Sequence, residues 1–476
     1  MNRFTVTPSD LPDLSASSLL RALVAGATPF VIAGSAIGCH SSTDNGTIQI
    51  IDDEEAGTFT ESPAPTELQV LAVESADAST VLATAQLPTS TIDLGNLDES
   101  APTVSINITG FDATNTRRVF GATLPLQYGL LAGQTVPVFV QRTGELARLP
   151  GILSDARQQP SMAILQGEFL LIAGGSEPWW SETTQLFDFG GFSPFVSPPT
   201  LPVSPQSLAL SGTVAWLVNA SGGTYFDFSS SAYNSIPLPP GGSFADVAGG
   251  ATIVDDSGIQ YIVGGTRTTG AATASVLKID PTNTTDTNYP YGEPTWLTLS
   301  TPRLGAAATW VVQRGLVVAG GNADPAAAGV EVIASGATTG SALPFAADFT
   351  IGAGAAQLDA THVLLSGGIS STLLDPGTRV LDLNCASLAS ACVAPWQPGL
   401  PVPLATAQTF TWSTPNDGLV VGNEFGSGKT HVFRLSPTSA TEVPTRTAHT
   451  YASAVWSPVG SIVLFGGSPT IESFTP

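Results

Sequence analysis

Charged residues are scarce in this chain of 476 residues. Only 11% of its positions are Asp, Glu, Lys or Arg, less than half of the roughly 25% found in ordinary soluble domains. The 38 acidic residues outnumber the 15 basic ones, and only two of the basic residues are lysines, Lys278 and Lys429. A nucleic-acid binder needs clustered cations to neutralise phosphates, so the sequence predicts no nucleic-acid partner.

Glycine and proline, by contrast, are abundant, with 49 Gly and 37 Pro residues. Both residues interrupt helices and favour turns. The composition therefore argues against a helical bundle and for an all-β chain with many short turns. The apolar content of 42% is sufficient for a large core.

The first 39 residues have the pattern of an export signal. Arg21 precedes an apolar run over Ala22–Gly38 that ends at Cys39, and this run is short for a membrane-spanning helix but suits a signal peptide. The small residues before Cys39 resemble a bacterial lipobox. That resemblance implies that residues 1–38 are removed and that Cys39 carries a lipid, which would make the protein an outer-membrane lipoprotein facing the periplasm or the cell surface. Secretion after ordinary cleavage and a retained membrane anchor are the alternatives.

The two remaining cysteines, Cys385 and Cys392, are seven residues apart. A loop of this length can close into a disulfide in an oxidising compartment. Two free thiols are the alternative. No His or third Cys lies nearby to complete a metal site, and the sequence predicts neither a metal nor a cofactor.

The segment 39–65 is acidic and contains prolines. It includes the run Asp52-Asp53-Glu54-Glu55 and ends in Ser62-Pro63-Ala64-Pro65. Like charges repel and proline prevents compact pairing, so the sequence predicts a flexible tether over residues 39–65.

A small β-domain is predicted over residues 66–142. Six short segments there alternate in apolar character and are separated by Gly, Pro, Asn and Asp, a pattern typical of an Ig-like antiparallel sandwich. The segments are Leu68–Val73, Val81–Leu87, Thr91–Leu94, Val104–Ile108, Val119–Leu124 and Val136–Gln141.

Beyond residue 142 the chain repeats. An apolar strand ending in Gly-Gly recurs five times, and two degenerate copies fill the wide gaps, giving seven units spaced 44 to 56 residues apart. The double glycines are Gly174-Gly175, Gly264-Gly265, Gly320-Gly321, Gly367-Gly368 and Gly466-Gly467, and the degenerate copies are Ala215–Val218 and Leu419–Gly422.

These repeats resemble the kelch family of β-propellers, whose period is roughly 50 residues. Arg446-Thr447-Ala448-His449 is similar to the Arg-x-x-His step into the innermost kelch strand. The resemblance implies a seven-bladed propeller over residues 143–476 that recognises a protein or carbohydrate through its face loops. Only nine residues follow Gly467, so we expect residues 145–150 to complete the last blade beside Thr470–Phe474.

An extracellular propeller enzyme is the alternative function. A copper site like that of galactose oxidase would draw on His362, His431, His449 and Tyr451, but no Tyr-His pair occurs in the sequence. A glycan-acting enzyme would need paired carboxylates, and Asp255-Asp256 lies in a Gly-flanked turn, where Asp favours the bend. Gly426–Thr430 contains a Gly-Ser-Gly-Lys-Thr sequence but precedes a strand, so we expect a hairpin rather than a phosphate-binding loop.

Aromatic residues in two predicted loops are the candidate ligand-binding residues. Trp179 and Trp180 follow the first double glycine, and Tyr289 and Tyr291 lie in the longest insertion. Exposed rings can stack on sugars or anchor a protein, although packing between blades is the alternative. We therefore expect a monomeric, non-catalytic binding or scaffold lipoprotein of the cell envelope.

Overall fold

The computed structural model describes residues 45–52, 57–75, 78–94, 103–127, 131, 133–175, 184–195, 205–211, 214–265, 271–370, 377–385, 392–395, 399–412 and 417–476. The predicted signal peptide, Cys39, Trp179 and Trp180 lie outside these residues. Within the ranges described, no helix is long and apolar enough to cross a membrane. Regular structure in these ranges is almost entirely β, as predicted, with a single-turn 3-10 helix at Phe244–Asp246.

An eight-stranded sheet forms the first domain. Its strands follow the order β3-β2-β5-β6-β8-β1-β4, with β7 paired to β5, and their alternate side chains enclose one apolar core that includes Leu68, Ile106 and Val138. The strands are β1 Thr47–Asp52, β2 Glu67–Ser75, β3 Ala78–Gln86, β4 Thr91–Asp93, β5 Thr103–Phe111, β6 Arg117–Ala122, β7 Leu126–Gln127 and β8 Thr135–Arg142.

The position of β1 corrects the predicted tether. Residues 47–52 form a strand that pairs in parallel with β8 and antiparallel with β4. Ile48 and Ile50 alternate with polar residues and are buried in the core. The acidic run that follows obscured this short alternation in the sequence, and the first domain therefore begins about 20 residues before the predicted boundary at residue 66.

The rest of the chain is a propeller of seven four-stranded antiparallel sheets, which confirms the predicted blade number. β9 spans Leu146–Ile152 and belongs to the last blade. Blades 1 to 3 consist of β10 Ser161–Leu165, β11 Phe169–Ala173, β12 Thr184–Asp188 and β13 Ser193–Phe195; β14 Ser207–Ser211, β15 Val214–Asn219, β16 Gly222–Asp227 and β17 Ala232–Ile236; and β18 Ala251–Val254, β19 Gln260–Val263, β20 Thr273–Asp280 and β21 Glu293–Arg303.

Blades 4 to 7 continue in the same way. They consist of β22 Ala307–Val311, β23 Gly315–Ala319, β24 Val330–Ile333 and β25 Ser341–Ala342; β26 Gly354–Gln357, β27 His362–Ser366, β28 Thr378–Asp382 and β29 Val393–Pro395; β30 Leu404–Thr411, β31 Gly418–Glu424, β32 Thr430–Ser436 and β33 Ser439–Glu442; and β34 Ser453–Trp456, β35 Ile462–Phe465 and β36 Thr470–Phe474 together with β9.

The two faces of the propeller differ in the loops that they carry. In each blade the first strand is innermost and the chain meanders outward. The turns between second and third strands therefore lie on the same face as the connections between blades, which we call the connection face. The turns after first and third strands lie on the opposite face.

The ring closes through the segment that the sequence selects for this purpose. β9 pairs antiparallel with β36, with Leu146 opposite Phe474 and Ala147 opposite Ser473. An early strand thus supplies the outer strand of the last blade, so the two ends of the propeller chain are held in one sheet.

The first domain packs directly on the propeller next to this closure. Phe139 of β8 joins an apolar cluster with Leu149, Phe187 and Phe192. The Gln141 side-chain amide donates a hydrogen bond to the Ser473 carbonyl at 3.2 Å. The domain is therefore seated on blades 7 and 1.

The predicted disulfide is present. Cys385 and Cys392 are bonded, with their Cα atoms 5.7 Å apart, in the turn between the last two strands of blade 5. Cys392 is buried in the apolar cluster between blades 4 and 5, so the bond secures an outer turn to the core.

Candidate functional site

The central channel is lined by strands without an ionisable side chain. The seven innermost strands are β10, β14, β18, β22, β26, β30 and β34, and none of them contains Asp, Glu, Lys, Arg or His. Gly, Ala, Ser, Thr and apolar residues predominate. The exposed Gln408 amide is bonded across to the next blade, where it accepts from the Ala454 N–H at 2.6 Å and donates to the Ala454 carbonyl at 3.1 Å. The channel wall therefore offers hydroxyl and amide groups but no acid or base.

Two arginine side chains and one histidine side chain, all buried in the propeller, have a structural role. Each donates to the carbonyl of the first glycine of a double-glycine motif, 17 residues further along the chain. The donor and acceptor pairs are Arg157 and Gly174 at 3.1 Å, Arg303 and Gly320 at 2.7 Å, and His449 and Gly466 at 2.9 Å.

Each of these side chains also contacts a buried carboxylate. The partners are Asp155 for Arg157, Glu331 for Arg303 and Glu472 for His449. His449 is 1% exposed and is fully engaged by Gly466 and Glu472. In three of its five copies the double glycine thus anchors the same internal contact.

Each histidine of the copper-site alternative is engaged by a different carboxylate. His362 begins β27 on the face opposite to the connections, where it contacts Asp359 at 2.8 Å. His431 lies in blade 6 and contacts Glu442 at 2.8 Å, and His449 is buried in blade 7. Among the residues described, no three His, Cys, Asp or Glu side chains are grouped as a metal site.

The structure places the rings of Tyr289 and Tyr291, two of the predicted ligand-binding residues, in packing contacts. Tyr289 is 8% exposed and belongs to the cluster between blades 2 and 3. The Tyr291 ring meets the Tyr225 ring edge to face, with centroids 5.3 Å apart. The long insertion folds back over the blade seam, because burying a large aromatic surface stabilises more than leaving it in water. Trp296 packs in the same cluster and donates to the Pro239 carbonyl at 3.1 Å.

Two other sequence motifs form turns, as expected. The Asp255 carboxylate accepts from the Ser257 and Ile259 N–H groups at 2.8 and 2.9 Å and so closes its own turn. The glycine-rich segment 426–430 connects β31 to β32 in an antiparallel hairpin. Neither geometry provides a catalytic pair or a phosphate cradle.

A left-handed residue lies two positions before the innermost strand in five of the blades. Glycine occupies this position in three blades, as Gly249, Gly305 and Gly352, but the residues before blades 1 and 7 are Gln159 (φ 51°) and Tyr451 (φ 50°). A side chain in this conformation is uncommon and is destabilised by close contact of its Cβ with the backbone. Such residues are concentrated at functional sites.

Gln159 and Tyr451 are direct neighbours across the seam between blades 7 and 1. The Gln159 N–H donates to the Tyr451 carbonyl at 2.7 Å, and the Gly352 N–H donates to the Gly305 carbonyl at 2.8 Å in the corresponding way between blades 4 and 5. The same backbone junction is therefore built from two glycines at one seam and from two residues that have side chains at another.

The Tyr451 ring lies on the glycine-rich hairpin of blade 6. The Tyr451 N–H donates to the Gly428 carbonyl at 2.8 Å, and a Cβ added to Gly428 would lie 2.2 Å from the ring. Only glycine permits this approach. At the tip of the same hairpin Phe425 is 47% exposed, and Lys429 is exposed beside it.

The base of this hairpin is held by polar contacts. Glu424 accepts from the Ser427 hydroxyl at 2.5 Å, and this hydrogen bond lowers the pKa of Glu424. The buried His431 ring lies between two carboxylates, with Nδ1 2.8 Å from Glu442 and Nε2 3.8 Å from Glu424. These contacts fix the hairpin next to the channel mouth.

We call Gln159 and Tyr451, together with Phe425 of the hairpin against which Tyr451 packs, the seam patch. This patch was not found from the sequence. The sequence indicates Tyr451 only as a residue of the copper-site alternative. Aligning the seven units at the position before the innermost strand would have revealed Gln and Tyr where other units have Gly. The conformational cost of these two residues, however, requires the backbone dihedral angles.

No protein-family model matches the chain, and a search of the curated proteins found no match.

Proposed function

We propose that the protein is a non-catalytic recognition module that binds its ligand at the connection face of the propeller. In this proposal the propeller is of the kelch type, and the first domain is Ig-like. A lipid on Cys39 would hold the molecule at the bacterial outer membrane as a monomer.

The observation that carries the proposal is the chemistry of the channel and its mouth. The innermost strands contain no side chain that could serve as a general acid, a general base or a charged metal ligand. Acid–base and nucleophilic catalysis both depend on such groups within hydrogen-bond reach of the substrate. On the connection face, the hairpin of blade 6 instead presents the exposed Phe425 ring and the exposed Lys429, a surface suited to binding.

Binding without turnover is the result expected from parallel glycan and peptide arrays probed with the purified full chain. Phe425→Ala should reduce the binding, whereas Val81→Ala should not, because Val81 is similarly exposed (55%) but lies on β3 of the first domain. Mass spectrometry should recover the ligand unchanged. Stoichiometric copper in the purified protein, or chemical conversion of the ligand, would contradict the proposal.

The anchor is tested separately. Replacing Cys39 with Ser should move the protein from the membrane fraction to the soluble fraction of the cell envelope. Unchanged fractionation would refute lipidation at Cys39 and would leave the recognition proposal standing.

A further inference from the structure

We propose that the seam patch, formed by Gln159, Phe425 and Tyr451, binds a neutral oligosaccharide. This inference rests on the recognition function proposed above and assigns it a site and a class of ligand.

Two seams between blades form the same backbone junction from different residues. Gly305 and Gly352 make the same backbone junction between blades 4 and 5 without side chains. The fold therefore does not require Gln159 or Tyr451, and glycine would adopt their left-handed conformation without strain. Because glycine fills the same position in three other blades, Gln159 and Tyr451 are candidates for side chains that are kept for a use other than folding.

The seam patch contains two aromatic rings, those of Tyr451 and Phe425. The Tyr451 ring packs closely against Gly428, and a backbone hydrogen bond joins the same two residues, so the ring lies against the hairpin before a ligand arrives. Phe425 adds a second, exposed ring at the tip of the same hairpin. Rigid aromatic side chains lose little conformational entropy on binding, and the C–H faces of sugar rings pack against such surfaces.

The seam patch also contains polar side chains. Gln159 is exposed, and the neighbouring Gln158 donates to the Thr450 hydroxyl at 3.1 Å. Amides both donate and accept hydrogen bonds, as sugar hydroxyls do. The molecule has a net charge of −23, so its field disfavours anionic polysaccharides, while the exposed Lys429 of the same hairpin repels a cationic ligand. A neutral glycan satisfies both conditions.

The test uses isothermal titration of the full chain with maltohexaose, cellohexaose and chitohexaose. We expect at least one of the three to bind with a dissociation constant between the micromolar and low millimolar ranges. Gln159→Gly and Tyr451→Gly should each weaken that binding at least about tenfold. Both variants keep the left-handed backbone, so their melting temperatures should be unchanged or raised by up to about 2 °C.

Gln313→Gly is the matched control. Gln313 has the same residue type and a left-handed conformation (φ 68°) in a turn on the opposite face, so its replacement should leave sugar binding unchanged. A residue with only a structural role would lower the melting temperature when replaced and would not alter affinity selectively.

The outcomes are distinct. Absence of binding to all three sugars at 5 mM, or unchanged affinity in both seam variants, would overturn the assignment of a neutral oligosaccharide to the seam patch. Binding of a peptide in place of the sugars, lost on Tyr451→Gly, would also overturn this class of ligand while leaving the recognition function intact.

Discussion

The propeller contains fully buried ion pairs that are costly to break. The Arg303 guanidinium contacts Glu331 at 2.8 Å, and both side chains are fully buried. Replacing one partner leaves the other charge buried and unpaired, which typically costs about 3–5 kcal/mol. Arg303→Met should therefore lower the free energy of unfolding by about this amount in urea titrations.

Arg434→Met is the control for that prediction. Its partner Asp417 lies 3.1 Å away, but the Arg434 side chain is 44% exposed, and exposed pairs contribute about 0–1 kcal/mol. A similar loss in both variants would show that burial of the pair is not the cause.

A second prediction at the scale of the residue concerns the Glu168 carboxyl of blade 1. Burial and the neighbouring Asp188 carboxylate raise the pKa of Glu168 to about 6, from an ordinary value of 4.5. The folded state therefore holds this proton more tightly than the unfolded state does. The contribution to stability is greatest below pH 4.5 and is lost as the pH rises through about 6.

Glu168→Gln should consequently stabilise the protein at pH 7.5 by up to about 1 kcal/mol after allowance for screening by water, and by less at pH 5. Urea unfolding at the two pH values measures this difference. Glu74→Gln, at an exposed position on β2, is the control. An effect of Glu168→Gln that is equal at both pH values would contradict the assignment.

At the scale of the element, the double glycines after the second strands are required by close backbone approach. Gly265 has φ 82°, and a Cβ there would lie 1.8 Å from the Arg303 carbonyl oxygen. Gly167 has a similar φ of 67°, but a Cβ there would meet nothing within 4 Å. Alanine substitutions at Gly265 and Gly167 therefore separate the free-energy cost of the left-handed conformation from the cost of the close backbone contact.

We expect Gly265→Ala to destabilise the propeller by about 3 kcal/mol or more, and Gly167→Ala by about 1 kcal/mol, as measured by thermal unfolding. Equal losses would mean that the left-handed conformation alone, rather than the close contact with the Arg303 backbone, explains the repeated motif.

At the scale of the whole molecule, ring closure depends on one short strand. Ile471 and Phe474 of β36 are fully buried, and β36 is the strand that joins β35 to β9. A chain without residues 470–476 would leave two strand edges unpaired and would lose its cooperative unfolding transition. Circular dichroism during heating measures the loss, and a synthetic peptide of residues 470–476 should restore part of the transition. A truncated chain with an unchanged transition would refute this role.

Much of this architecture was predictable because it is written in local patterns. The spacing of the double glycines predicts seven blades. The two cysteines seven residues apart predict their bond. Strand β1 escaped prediction because an alternation of two isoleucines is weaker than the charge run that follows it.

The sequence by itself therefore determines the fold class, the number of blades and the manner of closure, since periodic apolar strands and glycine turns act through neighbours in the chain. Only the tertiary structure decides which aromatic rings are exposed to solvent. Tyr289 is buried by a neighbouring blade, whereas Phe425 remains exposed. Exposure depends on residues far away in the chain. The pairing of Gln159 with Tyr451 does so too, because these residues are 292 positions apart in sequence and only the closed ring brings them together.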